Sequence, residues 1–154
     1  VRAEDFFEDL DPKQKSKIEK AAEDLVIAHE TKRGWETQRV GHLKISFDIR
    51  SQGPADPRTG YRNPITSIRR IEVKGRKRGQ PIRLTVNEWN HAVHLGETYW
   101  LYVVWDPLGN PDIEPLIIQN PAKHLDHAKK EVVAARVFDI PAVAVEAAAT
   151  KDQQ

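Results

Sequence analysis

Ile18, Ala21, Ala22, Leu25 and Val26 recur at spacings of three and four residues, which puts them on one face of a helix. Asp11 can cap that helix, Pro12 suits its first position, and Gln14 stands where a capping-box partner belongs. Lys32 and Arg33 complement the C-terminal dipole, and Gly34 supplies the stop. The apolar period then changes to two. A short strand is predicted over residues 35–40 and a longer one over residues 43–51, with Leu43, Ile45, Phe47 and Ile49 on one face and Lys44, Ser46, Asp48 and Arg50 on the other. Residues 52–64 read as loop from their Gly and Pro content. The next strand covers residues 66–75, with Ile68, Arg70, Glu72 and Lys74 on one face and Ile71 and Val73 on the other. Residues 77–80 turn the chain into a third short strand at residues 81–84.

Thr85 and Glu88 have the spacing of a capping box, so a second helix is predicted from there to about Leu95, stopped by Gly96. Residues 98–105 are almost continuously apolar, the mark of a strand buried on both faces. A turn with Gly109 and Asn110 then leads to a hairpin strand at residues 113–118. Asn120 and Pro121 start a short helix to about Lys130, residues 132–140 suit an edge strand, and residues 142–154 suit a frayed helical tail. The order αβββαβ predicts a mixed α/β sheet with helices on its faces. One domain is expected over residues 1–154, with a core at about 12–119, an extension at 120–141 and a flexible tail at 142–154.

Composition narrows the class. The chain is 39% hydrophobic and 31% charged, as in an ordinary soluble domain. No apolar run reaches the roughly 20 residues of a membrane span, and the first eight residues lack a signal-peptide layout. With no Cys, disulfides and thiolate metal sites are excluded and a cytoplasmic location is expected. With no Met either, the chain is expected to be a piece of a longer polypeptide. Its charge is uneven: residues 50–83 hold ten basic and two acidic residues, while the rest holds 14 basic and 21 acidic. A patch of this kind attracts a polyanion, although basic residues also blunt exposed strand edges.

Inside that window lies IEVKG, residues 71–75. Glu72 and Lys74 emerge on the same face of their strand, and Asp48 sits on the preceding one. An isolated pair of this kind is usually a solvated surface pair. With Asp48 alongside, Asp48, Glu72 and the Val73 carbonyl offer the oxygen ligands that Mg²⁺ or Mn²⁺ takes. Lys74 would orient an attacking water and offset charge growing on a phosphate. Arg62, Arg76, Lys77 and Arg78 flank this set and are candidates to hold a phosphate backbone. Tyr61, between Arg58 and Arg62 in the Pro/Gly loop, is the aromatic best placed to touch nucleic acid, with a mobile solvated loop as the equal alternative. Trp100 and Trp105 are expected in the core and Trp89 under the second helix, while Trp35 remains open to stacking. His91 with His94, and His124 with His127, lack a third ligand for zinc. No Walker-type phosphate loop is present, so ATP hydrolysis is not expected.

The element order and the set Asp48, Glu72-Val73-Lys74 resemble the PD-(D/E)XK, or restriction-endonuclease-like, superfamily, with Phe47 where its name has Pro. More narrowly, the chain is similar to the C-terminal domain named after the protein NO VEIN. The residues that carry this likeness are Ile18-Glu19-Lys20-Ala21-Ala22, Gly34, Asp48-Ile49, the IEVKG segment, residues 84–89 (LTVNEW), residues 99–104 (YWLYVV) and residues 118–121 (IQNP). The resemblance implies a Mg²⁺- or Mn²⁺-dependent DNA endonuclease module, tied to a helicase, an ATPase, or a restriction or phage-defence protein. It also implies a further catalytic Glu on the first helix, with Glu19 preferred over Glu23. Two alternatives stand beside it: an inactive DNA-binding module of the same fold, and an interaction domain whose basic face binds an acidic partner. A homodimer is compatible with all three.

Overall fold

The structure, a computed structural model, describes residues 12–45, 47–133 and 137–150. The expected cap Asp11 lies outside them, as do Ser46 and residues 151–154 of the tail. Helix α1 (Pro12–Lys32) ends as its sequence dictates, with Gly34 at φ 86°. Strands β1 (Glu36–Arg39), β2 (Ile49–Gln52) and β3 (Ile68–Arg76) then form an antiparallel meander. Helix α2 (Val86–Leu95) follows β4 (Ile82–Thr85) and returns the chain to β5 (Tyr99–Trp105), which pairs parallel to β3 from Arg70↔Tyr99 to Arg76↔Trp105. A parallel neighbour requires a crossover of this length. Strand β6 (Leu116–Gln119) completes a mixed sheet in the order β1-β2-β3-β5-β6.

Each face of this sheet buries its own core. Ala22 and Val26 of α1 pack on Ile49, Ile71, Val73, Tyr102 and Val104. On the other face, Trp89 and Ala92 of α2 join Tyr99, Leu101 and Val103. Strand β5 carries residues of both clusters and is buried along its whole length, in keeping with its unbroken apolar sequence.

Several elements differ from expectation. The strand predicted over residues 43–51 is formed only from Ile49 onward. Gly41–Leu43 make a 3-10 turn, closed by Lys44 donating to Gly41 at 3.1 Å, with Lys44 itself at φ 55°. Leu43 and Ile45, assigned to a buried face, are 55% and 43% exposed. Phe47 and Ile49 enter opposite cores, because the chain bends at Asp48. The third short strand also leaves the main sheet. A turn at Lys77–Gln80, with Gly79 at φ 87°, sends β4 to pair with β8 (Val137–Ile140). Strand β8 pairs in turn with β7 (Lys130–Val132), so the edge strand expected over residues 132–140 is an antiparallel pair with β8 at its centre. Helix α3 (Pro121–Leu125) stops short of Lys130. The expected frayed tail is docked as far as Thr150: α4 (Ala142–Ala148) buries Val145, and the Thr150 N–H donates to Ile117 at 2.9 Å. Among the described residues, no helix is long and apolar enough to cross a membrane.

Candidate active site at the open edge of the third strand

Strand β2 begins at Ile49, opposite Ile71, so among the described residues the second half of β3 has no strand partner on that side. The bend at Asp48 fills the gap. Its N–H donates to the Ile71 carbonyl at 2.9 Å, and its Oδ2 accepts from the Val73 N–H at 2.9 Å. Backbone groups alternate sides along a strand, so the Val73 carbonyl points to the same open edge as the Val73 N–H. Glu72 and Lys74 project onto the α2 face, in register with Leu101 and Val103. Helix α2 delivers a third carboxylate there. The capping box read from the sequence is formed: Glu88 N–H donates to Thr85 Oγ1 at 3.1 Å, and Thr85 N–H donates to Glu88 Oε1 at 2.8 Å. The same Glu88 carboxylate accepts from Lys74 Nζ at 3.1 and 3.2 Å, while Lys74 Nζ lies 3.3 Å from Glu72 Oε2. The capping box signalled the helix, not this second role of Glu88; only the helix–sheet packing reveals it.

These groups floor a cleft of about 760 Å³. Lys15, Ile18, Glu19 and Glu23 of α1 line one wall; Arg76, Lys77 and Gln80 line the turn end; Arg83 and Val137 bring in the second sheet. Gly75 is where α1 comes closest, because a Cβ there would lie 2.9 Å from the Ala22 Cβ.

Burial and mutual charge set the protonation of the cluster. Glu72 is pushed well above the usual carboxylate range, first by burial and then by Asp48 and Glu88, against the pull of Lys74. Burial also raises Asp48, although the Val73 N–H and Lys74 oppose it. Burial acts the same way on Glu88, but Lys74 and the hydrogen bonds from Glu72 and Thr85 outweigh it and hold Glu88 below its ordinary value. Burial would lower Lys74, yet Glu72 and Glu88 overcome it and keep the amine firmly charged. Among these carboxyls the anion is disfavoured most at Glu72 and favoured at Glu88. On α1, Glu23 is raised by burial and then by Asp48, and it pairs with Arg39 at 3.1 Å. Glu19, preferred from the sequence, is exposed on the cleft wall.

The basic window is sorted by the fold. Arg69 is buried: it donates to the Tyr102 hydroxyl at 2.6 Å and stacks 3.8 Å from the Trp100 ring and 5.2 Å from that of Trp35. Arg83 pairs with Asp139 through two hydrogen bonds, at 2.7 and 3.0 Å. Arg76 and Lys77 line the cleft, and Arg78 is exposed beside them. Arg58, Tyr61 and Arg62 sit on loop 53–67, which joins the far ends of β2 and β3 and is not brought to the cleft. Tyr61 is exposed there, and Arg62 Nε donates to the Gly53 carbonyl at 3.1 Å. Trp89, Trp100 and Trp105 are buried as expected, and Trp35 is covered by Arg33 at 4.3 Å. Among the described residues, no three His, Asp or Glu side chains form a ready metal cage. Metal ligation here would rest on Asp48, Glu72 and a main-chain carbonyl, a hard oxygen set that leaves places for water.

Fold and site together define a mixed α/β domain with a carboxylate–lysine cluster on the open edge of a central strand. Residues 18–118 match the family described as protein NO VEIN, C-terminal, and the chain belongs to that family. The matched span runs from α1 to β6 and includes Asp48, Glu72, Lys74 and Glu88. Neither the curated proteins nor the solved structures include a significant match.

Proposed function

We propose that this domain is a divalent-metal-dependent DNA endonuclease module of the PD-(D/E)XK type. It would act within a longer restriction, phage-defence or helicase-linked protein. The observation that carries this reading is the convergence of Asp48, Glu72 and Lys74 at the open edge of β3, in a cleft that Lys15, Arg76 and Lys77 also line. Asp48, Glu72 and the Val73 carbonyl would hold Mg²⁺ or Mn²⁺, which when bound would neutralise a phosphate oxygen and acidify a water. Lys74, kept charged, would position the reacting phosphate and offset its growing charge. Arg76, Lys77 and Arg78 would hold the backbone near the cut, and Arg58, Tyr61 and Arg62 the flanking strand. The role of a helix-borne acid falls to Glu23 or Glu19, both on the cleft wall.

One observation favours a second reading, a DNA-binding module without catalysis: Glu72 and Glu88 already satisfy the Lys74 ammonium. A plasmid-nicking assay separates the two. The nuclease reading expects nicking with Mg²⁺ or Mn²⁺, abolished by chelation and by Asp48→Ala in a protein that still folds. Metal-dependent nicking that survives in pure Asp48→Ala rules out the assignment of Asp48. DNA binding with no nicking in any divalent metal supports the binding module.

A further inference from the structure

We propose that Glu88 is a positioning residue, which clamps the Lys74 ammonium against Glu72 and so fixes where the lysine meets its substrate. The kinetic consequence of the clamp rests on the nuclease reading; the clamp itself rests on geometry alone. Lysine carries a long, flexible stem, and a single partner leaves its head free to swing. Here Lys74 Nζ contacts both Glu88 oxygens, at 3.1 and 3.2 Å, and Glu72 Oε2 at 3.3 Å.

Glu88 is in turn held by the Thr85 N–H at 2.8 Å and by its place in the first turn of α2. Trp89 and Ala92 bury that helix against the sheet. A rigid element of the crossover between β3 and β5 thus sets the lysine on β3, so the cleft is assembled only when α2 docks. The capping box and the clamp share one carboxylate, and a substitution can separate them.

Glutamine forms the same capping box as glutamate. In Glu88→Gln an amide oxygen in the place of Oε1 can still accept from Thr85 N–H and from Lys74 Nζ, but the amide NH₂ takes the place of Oε2 against the ammonium and the charge pair is broken. Two measurements test the clamp. The first is the side-chain ammonium resonance of Lys74 in ¹H–¹⁵N spectra, assigned by its absence from Lys74→Ala. It should be resolved in the wild-type protein and vanish through fast exchange in Glu88→Gln and Glu88→Ala. The second is cleavage kinetics on plasmid DNA with Mg²⁺ or Mn²⁺. Glu88→Gln should still fold, with a lower melting temperature from the lost charge pair, and keep the wild-type KM, but drop about 10- to 100-fold in kcat, the range for a misplaced reacting group. A residue that only caps the helix would leave Glu88→Gln with wild-type kcat. That result, or a Lys74 resonance that persists in Glu88→Gln, overturns the proposal. If the wild-type protein cuts no substrate, the nuclease reading falls, and the ammonium resonance alone decides the clamp.

Discussion

Glu72 and Glu88 flank one ammonium and carry opposite pH signs. The pKa of Glu72 is raised on folding, so the stability it contributes is complete below its ordinary value of 4.5 and is lost as pH rises through the folded value. That of Glu88 is lowered, so its contribution is present above 4.5 and is lost as pH falls through the folded value. Glutamine at position 72 does not titrate. Without divalent metal, Glu72→Gln should therefore gain on the wild type as pH rises above 4.5. A gain of about 1 kcal/mol would appear as roughly 2–4 °C in melting temperature for a chain of this size. Thermal melts followed by circular dichroism at several pH values test this, and a gap that stays flat would show that Glu72 is ionised without cost. The buried Glu30 poses a contrasting case on the other core face. It accepts from Arg33 at 2.9 Å and from the Tyr102 hydroxyl at 2.9 Å, so its charge is paired inside the protein rather than left for chemistry.

The packing of α1 on β3 is decided by a missing side chain. Gly75 lets α1 approach until a Cβ would meet the Ala22 Cβ at 2.9 Å and the Ile18 carbonyl oxygen at 3.3 Å, neither of which can swing aside. Gly75→Ala should cost about 1–3 kcal/mol, as overpacking does, despite the better strand propensity of alanine. It should also push the wall bearing Glu19 and Glu23 away from Asp48. The expected readouts are a lower melting temperature and faster hydrogen exchange in α1 than in β5; unchanged melting would mean that α1 shifts freely. Element types were legible in the sequence wherever the period was strong: α1, the capping box of α2, the doubly buried β5 and the strand bearing Glu72. The alternation over residues 43–51 misled, because Leu43 and Ile45 copy a buried face while facing solvent. Nothing local marks the bend at Asp48; the Ile71 carbonyl and the Val73 N–H hold it from 23 and 25 residues away.

At the scale of the molecule, one cleft gathers both signs of charge, with Lys15 beside the acids of the α1 wall. Glu19 and Glu23 stand on the α1 wall, and Arg76 and Lys77 at the turn end. Burial of Arg69 and the pairing of Arg83 with Asp139 remove two cations from the surface that the sequence suggested. Under the nuclease reading, neutralising Arg76, Lys77 and Arg78 together should weaken binding to all DNA sequences alike. It should also flatten the log–log salt dependence by about one unit for each phosphate that is no longer neutralised. Fluorescence anisotropy across a salt series measures this. An unchanged slope would place DNA elsewhere and favour an acidic protein partner for this face.

The sequence by itself determined the α/β class, most element types, and the placement of Glu72 and Lys74 on one face of a strand. All of these follow from short-range periodicity and capping chemistry. Glu72, Val73 and Lys74 could also be named from it through strand alternation; Asp48 could be named with them as a candidate ligand, although it reaches them by a bend rather than on the polar face of a strand. Only the tertiary structure decided that β4 leaves the main sheet, that Arg69 is a core residue, and that Glu88 joins the lysine. Those outcomes depend on which distant backbone groups pair and which helix docks on which face. Such pairing energies are set across the whole chain and leave no period in it to read.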